Sequence, residues 1–487
     1  MVVSMPNAFV ERMNIQLGEK ETAQLLNEWT KPAAMALRII SSKVTVEHLF
    51  THLGIELNQV PWCPDGFYMD AENRFGKLPE HAAGLFYIQE PSAMAPVEAL
   101  DVHPGMKVLD LCAAPGGKTT QIASKMFGKG ILVCNDPHSD RVKALAKNVE
   151  RCALGSVVVL NDQPKRIANI FSGYFDRILV DAPCSGEGMF RKDEAIQRHW
   201  TLDQPAKDAI VQKEVLRAAL TMLAPGGRLV YSTCTFSVEE NEAVLLDALR
   251  SDQQVRIVPV FEDNHGFAPG RPDWLDEVLS TDEVEQLKLA KRIWPHLVRG
   301  EGHFFAVFEK LGERPTERAI PQISTLIKET SNAWITWCEQ QLNAEVAKRW
   351  IHLGSRMSQV NDFLFLRPEE QLPALKGVRI FREGLLLGEL AGVKGPKRFM
   401  PSVGIALQLR PIDVQRSIMF ANDDERVIRY LRGESIVVHD DEVTVTEGSN
   451  EKGMVLVCVC GFALGWARSQ GDGMLKNDYP AGWRWNG

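Results

Sequence analysis

The sequence predicts an α/β protein built around a mostly parallel, doubly wound sheet, and three observations carry that prediction. From about residue 102 onward, short apolar segments alternate with segments of helical spacing. The apolar segments are nearly continuous, which is typical of parallel strands buried on both faces. They end in loops that contain glycine, aspartate and cysteine, the residue types expected in a cleft at the carboxyl ends of such strands.

The central sheet accounts for residues 101–310. Its first five strands are predicted from apolar segments at 107–112, 131–136, 156–162, 175–183 and 228–234. Helical spacing predicts helices between them at 118–127, 139–153 and 207–223. Two more apolar segments, 255–261 and 303–310, predict strands that close the sheet.

The regions on either side of the sheet have different patterns. The first region, 1–100, predicts a mixed α+β segment with helices at 6–17 and 19–29 and a strand at 34–40. Two prolines and a glycine predict loop and turn for "VPWCPDGFYMD" (60–70). Residues 311–390, with a helical segment at 324–342, predict a linker or small α+β module. Short β-like stretches with many glycines predict a β-rich module over 391–487.

The composition is that of an ordinary globular protein. Hydrophobic residues make up 45% and charged residues 24%, and the formal net charge is −8, which argues mildly against a non-specific coat for nucleic acid. No apolar run approaches the ~18–20 residues of a membrane helix, and the N-terminus has no signal-peptide core. The nine cysteines include no CxxC pair, so no zinc site is predicted. We therefore expect a cytoplasmic protein with free thiols and neither membrane nor metal partners.

A glycine turn joins the first strand of the sheet to its first helix, in "DLCAAPGGKTTQ" (110–121). Gly116 and Gly117 let a ligand approach the backbone, and the start of the helix offers unpaired N–H groups. The stretch lacks the GxxxxGK[ST] pattern, so a phosphate-binding P-loop is not predicted. A tight turn without a ligand is the alternative interpretation.

Acidic residues end the next two strands. Asp136 lies about 20 residues after Gly116, where an acid typically binds the ribose hydroxyls of a nucleoside cofactor. A helix cap is the alternative role for Asp136, although Ser139 suits that cap equally well. Asn161 and Asp162 follow the third strand. Their position suits a contact with an adenine amino group, and an ordinary loop turn suits it as well.

Two cysteines end the fourth and fifth strands. Cys184 follows Asp181 in "DAPCSGEG", and Cys234 ends the strand "RLVYSTC". Burial in the core is the ordinary interpretation of either cysteine alone. In a doubly wound sheet, however, the two strand ends border the same crevice, and a disulfide is not expected in a reducing compartment. Two thiols beside a nucleoside pocket therefore predict covalent catalysis.

Methylation of carbon 5 in a pyrimidine needs this set of groups. Carbon 5 is a poor nucleophile until a thiolate adds to carbon 6. It then takes a methyl group from a sulfonium donor, while a carboxylic acid supports N3 of the ring. A base must finally remove the carbon 5 proton so that the thiolate can leave. Two thiols, a carboxylate and an adenosyl pocket meet these needs.

Three motifs together resemble those of the Nop/Sun family of RNA cytosine-5 methyltransferases, which use S-adenosylmethionine. The motifs are "DLCAAPGGKT", "DAPCSGEG" and "STCT" followed by "EEN". The resemblance implies a Rossmann-like methyltransferase fold. It also implies that Cys234 is the nucleophile, that Cys184 assists release of the methylated product, and that Asp181 contacts the cytosine ring.

The resemblance also implies which residues bind S-adenosylmethionine. Asp136 would bind the ribose and Asp162 the adenine side, and Asp181 would bind the cofactor as well as the cytosine ring. Lys118 would lie near the substrate base as well as the cofactor. The turn that would hold the methionine part consists of Cys112, Ala113, Ala114, Pro115, Gly116, Gly117 and Lys118.

Both ends of the chain resemble the bacterial 16S rRNA branch of that family, the RsmF-like enzymes. "HAAGLFYIQEPSAM" resembles their N-terminal part, and "LKNDYPAGWRW" resembles the end of their PUA-like RNA-binding module. The branch implies 16S rRNA in the 30S subunit as the substrate of a monomeric enzyme. RNA contacts are predicted for "VKGPKRF", which holds Lys394, Lys397 and Arg398. Trp483 and Trp485 suit either base stacking or packing.

Three alternatives stay open at this point. A tRNA methyltransferase would use the same chemistry on another RNA. A DNA cytosine-5 methyltransferase would use Cys184, and not Cys234, as its nucleophile. A non-catalytic ribosome assembly factor would keep the fold without the activity, although the complete motifs argue against that.

Overall fold

The computed structural model describes residues 5–70, 72–261, 265–313, 328–392 and 397–485. Within these ranges the chain forms four sheets, and the largest has ten strands. None of the helices in the described ranges is both long enough and apolar enough to cross a membrane.

The N-terminal region contains four helices and a small antiparallel sheet. Its elements are α1 (Asn7–Leu17), α2 (Glu19–Glu28), β1 (Met35–Ile39), α3 (Val46–Leu53), β2 (Gln59–Val60), β3 (Cys63–Met69), α4 (Pro79–Ala82) and β4 (Phe86–Gln89). The strand order is β2-β3-β1-β4. The predicted helices and the strand β1 are therefore present.

Strand β3 runs through the stretch that was predicted to be loop and turn, so that prediction is wrong. Pro64 is exposed at the start of the strand, before its pairing with β1 over 66–69. Gly66 pairs with Arg38, and a Cβ at Gly66 would meet Met94 Sδ at 2.7 Å. The glycine therefore permits close packing and does not mark a turn.

The central region alternates strands and helices as the sequence predicts. Its elements are α5 (Ala95–Leu100), β5 (Lys107–Asp110), α6 (Gly117–Met126), β6 (Ile131–Asn135), α7 (Ser139–Arg151), β7 (Val157–Leu160), α8 (Pro164–Ala168), β8 (Phe175–Asp181), α9 (Glu194–His199), α10 (Gln204–Met222), β9 (Leu223–Thr233), α11 (Glu242–Ser251), β10 (Val255–Val258), β11 (Ala268–Pro269), α12 (Thr281–Lys288), β12 (Lys291–Ile293) and β13 (His303–Lys310).

These strands form one sheet in the order β11-β12-β13-β9-β8-β5-β6-β7, with β10 beside β13. Strands β5 to β9 are parallel, and β13 is antiparallel to β9. Val108 and Leu109, neighbours in β5, are fully buried in apolar clusters on opposite faces, which explains the continuous apolar segments. The strand order reverses between β5 and β8, where such a sheet opens a cleft at its carboxyl end. The predicted fold class is confirmed.

The C-terminal region is rich in strands, as predicted. Its elements are α13 (Lys328–Gln341), α14 (Ala344–His352), β14 (Met357–Val360), β15 (Phe363–Leu366), β16 (Ile380–Glu383), β17 (Leu385–Ala391), β18 (Arg398–Pro401), α15 (Val403–Ala406), β19 (Arg416–Phe420), α16 (Glu425–Leu431), β20 (Ile436–Val437), β21 (Val443–Val445), β22 (Gly453–Val459), β23 (Phe462–Ser469) and β24 (Met474–Asn477). One sheet has the order β14-β15-β17-β18, and the other has the order β20-β24-β23-β22-β19-β21.

One C-terminal strand belongs to the central sheet. Strand β16 pairs antiparallel with β7 and so adds a strand at the edge of the sheet. Asn161, after β7, donates its backbone N–H to the carbonyl of Arg379 at 2.9 Å. The division predicted at 390/391 falls inside β17 (Leu385–Ala391). The region after residue 310 therefore adds β16 to the central sheet, at the edge formed by β7.

The residues predicted for RNA contact have different surroundings. Lys394 lies outside the described residues. Lys397 pairs with Asp362 at 2.5 Å. Trp483 and Trp485 are half-buried and pack against an apolar cluster shared by the N-terminal and C-terminal sheets, which favours packing for both rings.

Candidate active site

The turn between β5 and α6 forms one wall of a cleft at the carboxyl end of the sheet. Gly116 adopts a left-handed conformation with φ of 110°, which favours glycine, and α6 begins at Gly117. The cleft has a volume of about 200 Å³ and is lined by residues 112–115, 117 and 118, by Asp181 and by β4. A Cβ on Gly117 would lie 3.3 Å from the ring of Tyr87, so the glycine keeps this wall open.

Lys118 and Asp181 form a half-buried ion pair beside this cleft. Lys118 Nζ donates to Asp181 Oδ2 at 2.8 Å, and Ser232 Oγ donates to Asp181 Oδ1 at 2.8 Å. Burial opposes the charge on Asp181, but Lys118 and its hydrogen bond hold the pKa of this carboxyl below its ordinary value. Burial likewise opposes the charge on Lys118, and Asp181 raises its pKa nonetheless. The pair is therefore ionised, and Lys118 carries its proton.

The two cysteines predicted at neighbouring strand ends are in contact. Cys184 Sγ and Cys234 Sγ lie 3.4 Å apart, both half-buried. The hydrogen bond to Cys234 and burial together raise the pKa of Cys184 well above its ordinary value. Cys184 therefore stays protonated and can donate its S–H to Cys234 Sγ. All nine cysteines of the chain are free.

A buried glutamate fixes the loop that carries Cys184. Glu240 Oε1 accepts from the backbone N–H of Ser185 at 2.8 Å and from Gln212 Nε2 at 2.9 Å. Ser185 Oγ donates to the other oxygen of Glu240, and it lies 2.8 Å from Thr235 Oγ1. The loop after β8 is therefore held to the loop after β9 directly behind the two thiols.

Asp136 and Asp162 lie further along the same edge of the sheet. Asp136 Oδ1 accepts from the backbone N–H of His138, while the buried Oδ2 has no hydrogen-bond partner among the described residues and lies 3.4 Å from Arg141. Asp162 accepts from the backbone N–H groups of Gln163 and Arg379 through its two oxygens. The carboxylate of Asp162 thus connects β7 to the segment before β16, and Asp136 keeps an oxygen for a ligand.

This edge of the sheet fits S-adenosylmethionine. At the ends of β5 and β6 it offers an open glycine turn and the N-terminus of α6, which suit a methionine carboxylate. It also offers the Oδ2 of Asp136, which has no hydrogen-bond partner among the described residues and suits a ribose hydroxyl. The thiols and the ion pair lie on the β8 and β9 side, next to where the methyl group would be. When bound, the cofactor supplies an electrophilic methyl group there. Among the described residues, no three His, Cys, Asp or Glu side chains are grouped to hold a metal ion.

Four residues beside the cleft were not among the predicted site residues. Ordinary strand and loop patterns surround three of them, His303, Ser232 and Glu240, so the sequence carried no signal for a site there, although the motif "EEN" includes Glu240. Arg38 gave the clearest signal, a lone charge inside the apolar strand "AMALRII". It is fully buried and donates to Gln89 Oε1, to the carbonyl of Gly117 and to Thr120 Oγ1. The N-terminal sheet thereby holds the glycine turn.

Replacing Arg38 with methionine is expected to weaken cofactor binding. The change removes a donor from three acceptors, at a cost of about 1–3 kcal/mol for each that finds no other partner. The carbonyl of Gly117 keeps its hydrogen bond from Thr120 Oγ1. We expect the Kd for S-adenosylmethionine, measured by calorimetry, to rise about tenfold. Arg217→Met, at a half-exposed arginine on α10, is the matched control and should leave the Kd unchanged. An unchanged Kd in both variants would contradict the role of Arg38.

The stability of the protein is expected to depend on the protonation of Glu240. Burial raises the pKa of Glu240 from 4.5 to about 7. Its contribution to stability is therefore complete below about pH 4.5 and is lost as the pH rises through 7. Between about pH 5 and 8, the free energy of unfolding should fall by about 2–3 kcal/mol more in the wild type than in Glu240→Gln, which mimics the protonated carboxyl. Urea unfolding at several pH values measures this difference, and parallel curves would refute it.

Four family descriptions match consecutive parts of the chain. The description "16S rRNA methyltransferase RsmB/F" matches residues 97–309, and "N-terminal domain of 16S rRNA methyltransferase RsmF" matches 5–91. The "RsmF rRNA methyltransferase first C-terminal domain" matches 336–409, and the "Methyltransferase RsmF PUA domain" matches 419–485. The matched parts cover the catalytic sheet and both flanking regions.

Curated relatives with the name ribosomal RNA small subunit methyltransferase F are similar over nearly the whole chain. The protein from Shewanella loihica is 30% identical over 94% of this chain and 90% of its own length. The protein from Erwinia tasmaniensis is 30% identical over 98% of this chain and 96% of its own length. In Vibrio campbellii, a relative with this name is 40% identical over 50% of this chain and 52% of its own length.

Solved structures show the same fold over 63% of the chain. A methyltransferase homolog from Pyrococcus horikoshii is 32% identical with a TM-score of 0.53, over 63% of this chain and 95% of that one. NSun6 from the same organism, solved with SFG, is 20% identical with a TM-score of 0.51, over 63% of this chain and 99% of that one, and shows the fold alone. With relatives at 30% identity over almost their full length, the chain belongs to the ribosomal RNA small subunit methyltransferase F family, enzymes that methylate rRNA with S-adenosylmethionine.

Proposed function

We propose that the protein transfers a methyl group to carbon 5 of a cytosine in 16S rRNA through a covalent adduct between Cys234 and carbon 6. The contact between Cys184 Sγ and Cys234 Sγ, 3.4 Å apart beside the Lys118–Asp181 pair, carries this proposal. One thiol can attack the ring while the other remains available for the release step. A site for methyl transfer to an exocyclic nitrogen or a ribose hydroxyl needs neither thiol.

The reaction begins with attack of the Cys234 thiolate on carbon 6 of the cytosine. The new S–C6 bond moves electron density to carbon 5, which then forms a bond to the methyl group as the S–CH3 bond of the sulfonium donor breaks and leaves a neutral thioether. Burial and the contact with Cys234 raise the pKa of Cys184, which favours its thiol form and makes it the less reactive of the two cysteines. We therefore assign the attack to Cys234, as the family resemblance implies, and keep Cys184 for a later step.

The Lys118–Asp181 pair holds the ring and receives its developing charge. Since the pair is ionised, Asp181 cannot donate to N3 as a carboxylic acid would, and the proton available to the ring is on Lys118. We assign Lys118 as the donor toward the N3 and O2 edge of the base and Asp181 as the acceptor for its amino group. Ser232 keeps the carboxylate in position.

Product release needs loss of the carbon 5 proton and departure of Cys234. Transfer of that proton to a water molecule from solvent re-forms the C5–C6 double bond and breaks the S–C6 bond, which returns the electron pair to Cys234 Sγ. Cys184 lies next to this sulfur and stabilises it by donating its S–H. Without Cys184, the leaving thiolate loses a hydrogen-bond donor in a buried site, and release should become slow.

We propose that the site residues bind the donor as the family resemblance implies, with the turn 112–118 on the methionine part and Asp136 on the ribose. Asp162 supports the adenine side indirectly, because its carboxylate accepts from the backbone N–H of Arg379 and so holds the segment before β16 beside β7. We further propose that the flanking regions, about 1–100 and 311–487, bind 16S rRNA in the 30S subunit. The enzyme would act as a monomer in the cytoplasm. The base must leave its stack to reach Cys234, because attack on carbon 6 comes from above the ring.

Mapping of 5-methylcytosine tests this proposal and separates it from the tRNA alternative. Total RNA from cells with the gene deleted, and restored with wild type or Cys234→Ala, is sequenced after bisulfite treatment. We expect a 16S rRNA signal that disappears on deletion and returns only with the wild type. Loss confined to tRNA would keep the chemistry and contradict the substrate. An unchanged pattern would contradict the proposal.

A further inference from the structure

A buried histidine on β13 lies beside the amine of Lys118. His303 begins β13, is almost fully buried, and places Nε2 3.5 Å from Lys118 Nζ. On the other side of the ring, Nδ1 lies 3.1 Å from Ser92 Oγ. The imidazole thus lies between the N-terminal region and the catalytic pair, and no step described above uses it.

The hydrogen bonds around Ser92 decide the tautomer of His303. Glu90 accepts from the backbone N–H groups of Ser92 and Ala93 at 2.9 and 2.8 Å and from that of Glu301 at 2.9 Å. Burial opposes its charge, but the charge of Lys192 and the hydrogen bonds from Ser92 lower the pKa of Glu90, which makes it a carboxylate without a proton to donate. The hydroxyl proton of Ser92 is therefore directed at Glu90, with which Ser92 Oγ makes a short hydrogen bond.

Ser92 Oγ then has only lone pairs to offer His303. Nδ1 must carry the imidazole proton and donate it to Ser92, which leaves Nε2 with a lone pair directed at Lys118. Burial, and next the charge of Lys118, lower the pKa of His303 to about 4, in agreement with a neutral ring. Lys118 is thus held by two acceptors, Asp181 on β8 and His303 on β13.

We propose that His303 is a positioning residue for methyl transfer, which fixes Lys118 Nζ by accepting one of its three N–H groups. Asp181 takes the second N–H, so the third is directed at the ligand in the cleft. A lysine side chain has four rotatable bonds, and a single acceptor would leave its amine free to swing about Asp181. The inference rests on the proposed roles of Lys118 and Asp181, and the experiment separates the failure of one from that of the other.

Two amide substitutions provide a matched test. The side-chain oxygen of His303→Gln reaches the position of Nε2 and can accept from Lys118, whereas that of His303→Asn reaches only the position of Nδ1. We expect kcat at saturating cofactor and rRNA to stay within about threefold of wild type in His303→Gln. It should fall about 10- to 100-fold in His303→Asn and in His303→Leu, since a misplaced group of this kind costs up to about 10²-fold. The KM for rRNA should change little in all three.

The comparison of His303→Asn with His303→Gln tests the role of His303, and Cys234→Ala tests the proposed function separately. If His303→Asn matches His303→Gln, whether both are active or both inactive, the position of the acceptor does not matter and the inference is overturned. Thermal unfolding of both amide variants identifies a loss caused by misfolding, which would also affect His303→Gln. Cys234→Ala, assayed in parallel, tests the proposed function itself, because methylation that survives this change overturns the function and not merely the role of His303.

Discussion

Replacing Cys234 with alanine is expected to abolish methyl transfer while leaving ligand binding intact. Cys234 directly follows β9, and its Sγ atom lies 3.4 Å from Cys184 Sγ. Without the Cys234 thiol, carbon 5 of the base remains a poor nucleophile. We expect the rate of transfer of tritiated methyl groups to rRNA to fall at least about 10³-fold, the size of effect typical for loss of a nucleophile.

Ligand binding and a second cysteine provide the controls for this prediction. The Kd of Cys234→Ala for S-adenosylmethionine should stay within about threefold of wild type, because the cofactor side of the site lies on β5 to β7. Cys460→Ala, at another half-buried free cysteine, should retain full activity. Residual activity of Cys234→Ala near the wild-type level would show that Cys234 does not attack the base.

Replacing Cys184 with alanine is expected to trap the enzyme on its RNA. Attack and methyl transfer still proceed through Cys234, but the departing sulfur loses the S–H donor that lies 3.4 Å away. A covalent complex should therefore accumulate and appear on a denaturing gel as a slowly migrating band that nuclease removes. Turnover should fall about 10²- to 10³-fold, in the range found when one donor to a developing charge is lost.

The double variant shows which cysteine forms the complex. In Cys184→Ala combined with Cys234→Ala, the band should disappear. A nucleophilic Cys184, as in the DNA methyltransferase alternative, predicts the reverse pattern, with a complex that forms in Cys234→Ala and is absent from Cys184→Ala. That result would exchange the roles of the two thiols and leave the fold assignment unchanged.

The sequence predicted which residues meet at the carboxyl edge of the sheet, because each strand there ends in residues of unusual type. Asp181, Cys184 and Cys234 follow continuous apolar segments, and parallel strands place such ends side by side. Their spacing along the chain gave no distance between them. The 3.4 Å contact of the thiols and the pairing of Asp181 with Lys118 come from the adjacency of β8 with β9 and with β5.

Contacts between distant segments could not be predicted in this way. Strand β16 joins the sheet about 220 residues after β7, and it occupies Asp162 through the backbone of Arg379. His303 looked like an ordinary first residue of an apolar strand, since neither Ser92 nor Lys118 is near it in sequence. Strand β3 was hidden by Pro64 and Gly66, local turn signals that pairing with β1 overrides. In each of these three cases, contacts with a segment distant in sequence determine the structure, and local sequence patterns do not show such contacts.

The most direct test of covalent catalysis is to identify the cysteine that becomes bonded to the base. Wild-type enzyme and S-adenosylmethionine are incubated with 30S subunits whose 16S rRNA contains 5-fluorocytidine, from which carbon 5 can lose no proton, so that release is blocked. Digestion with nuclease and protease, followed by mass spectrometry, locates the attached nucleotide. We predict a methylated fluorocytidine nucleotide on the peptide that contains Cys234. Attachment to Cys184, or methylation of ordinary 16S rRNA without any adduct on the fluorinated RNA, would contradict the account.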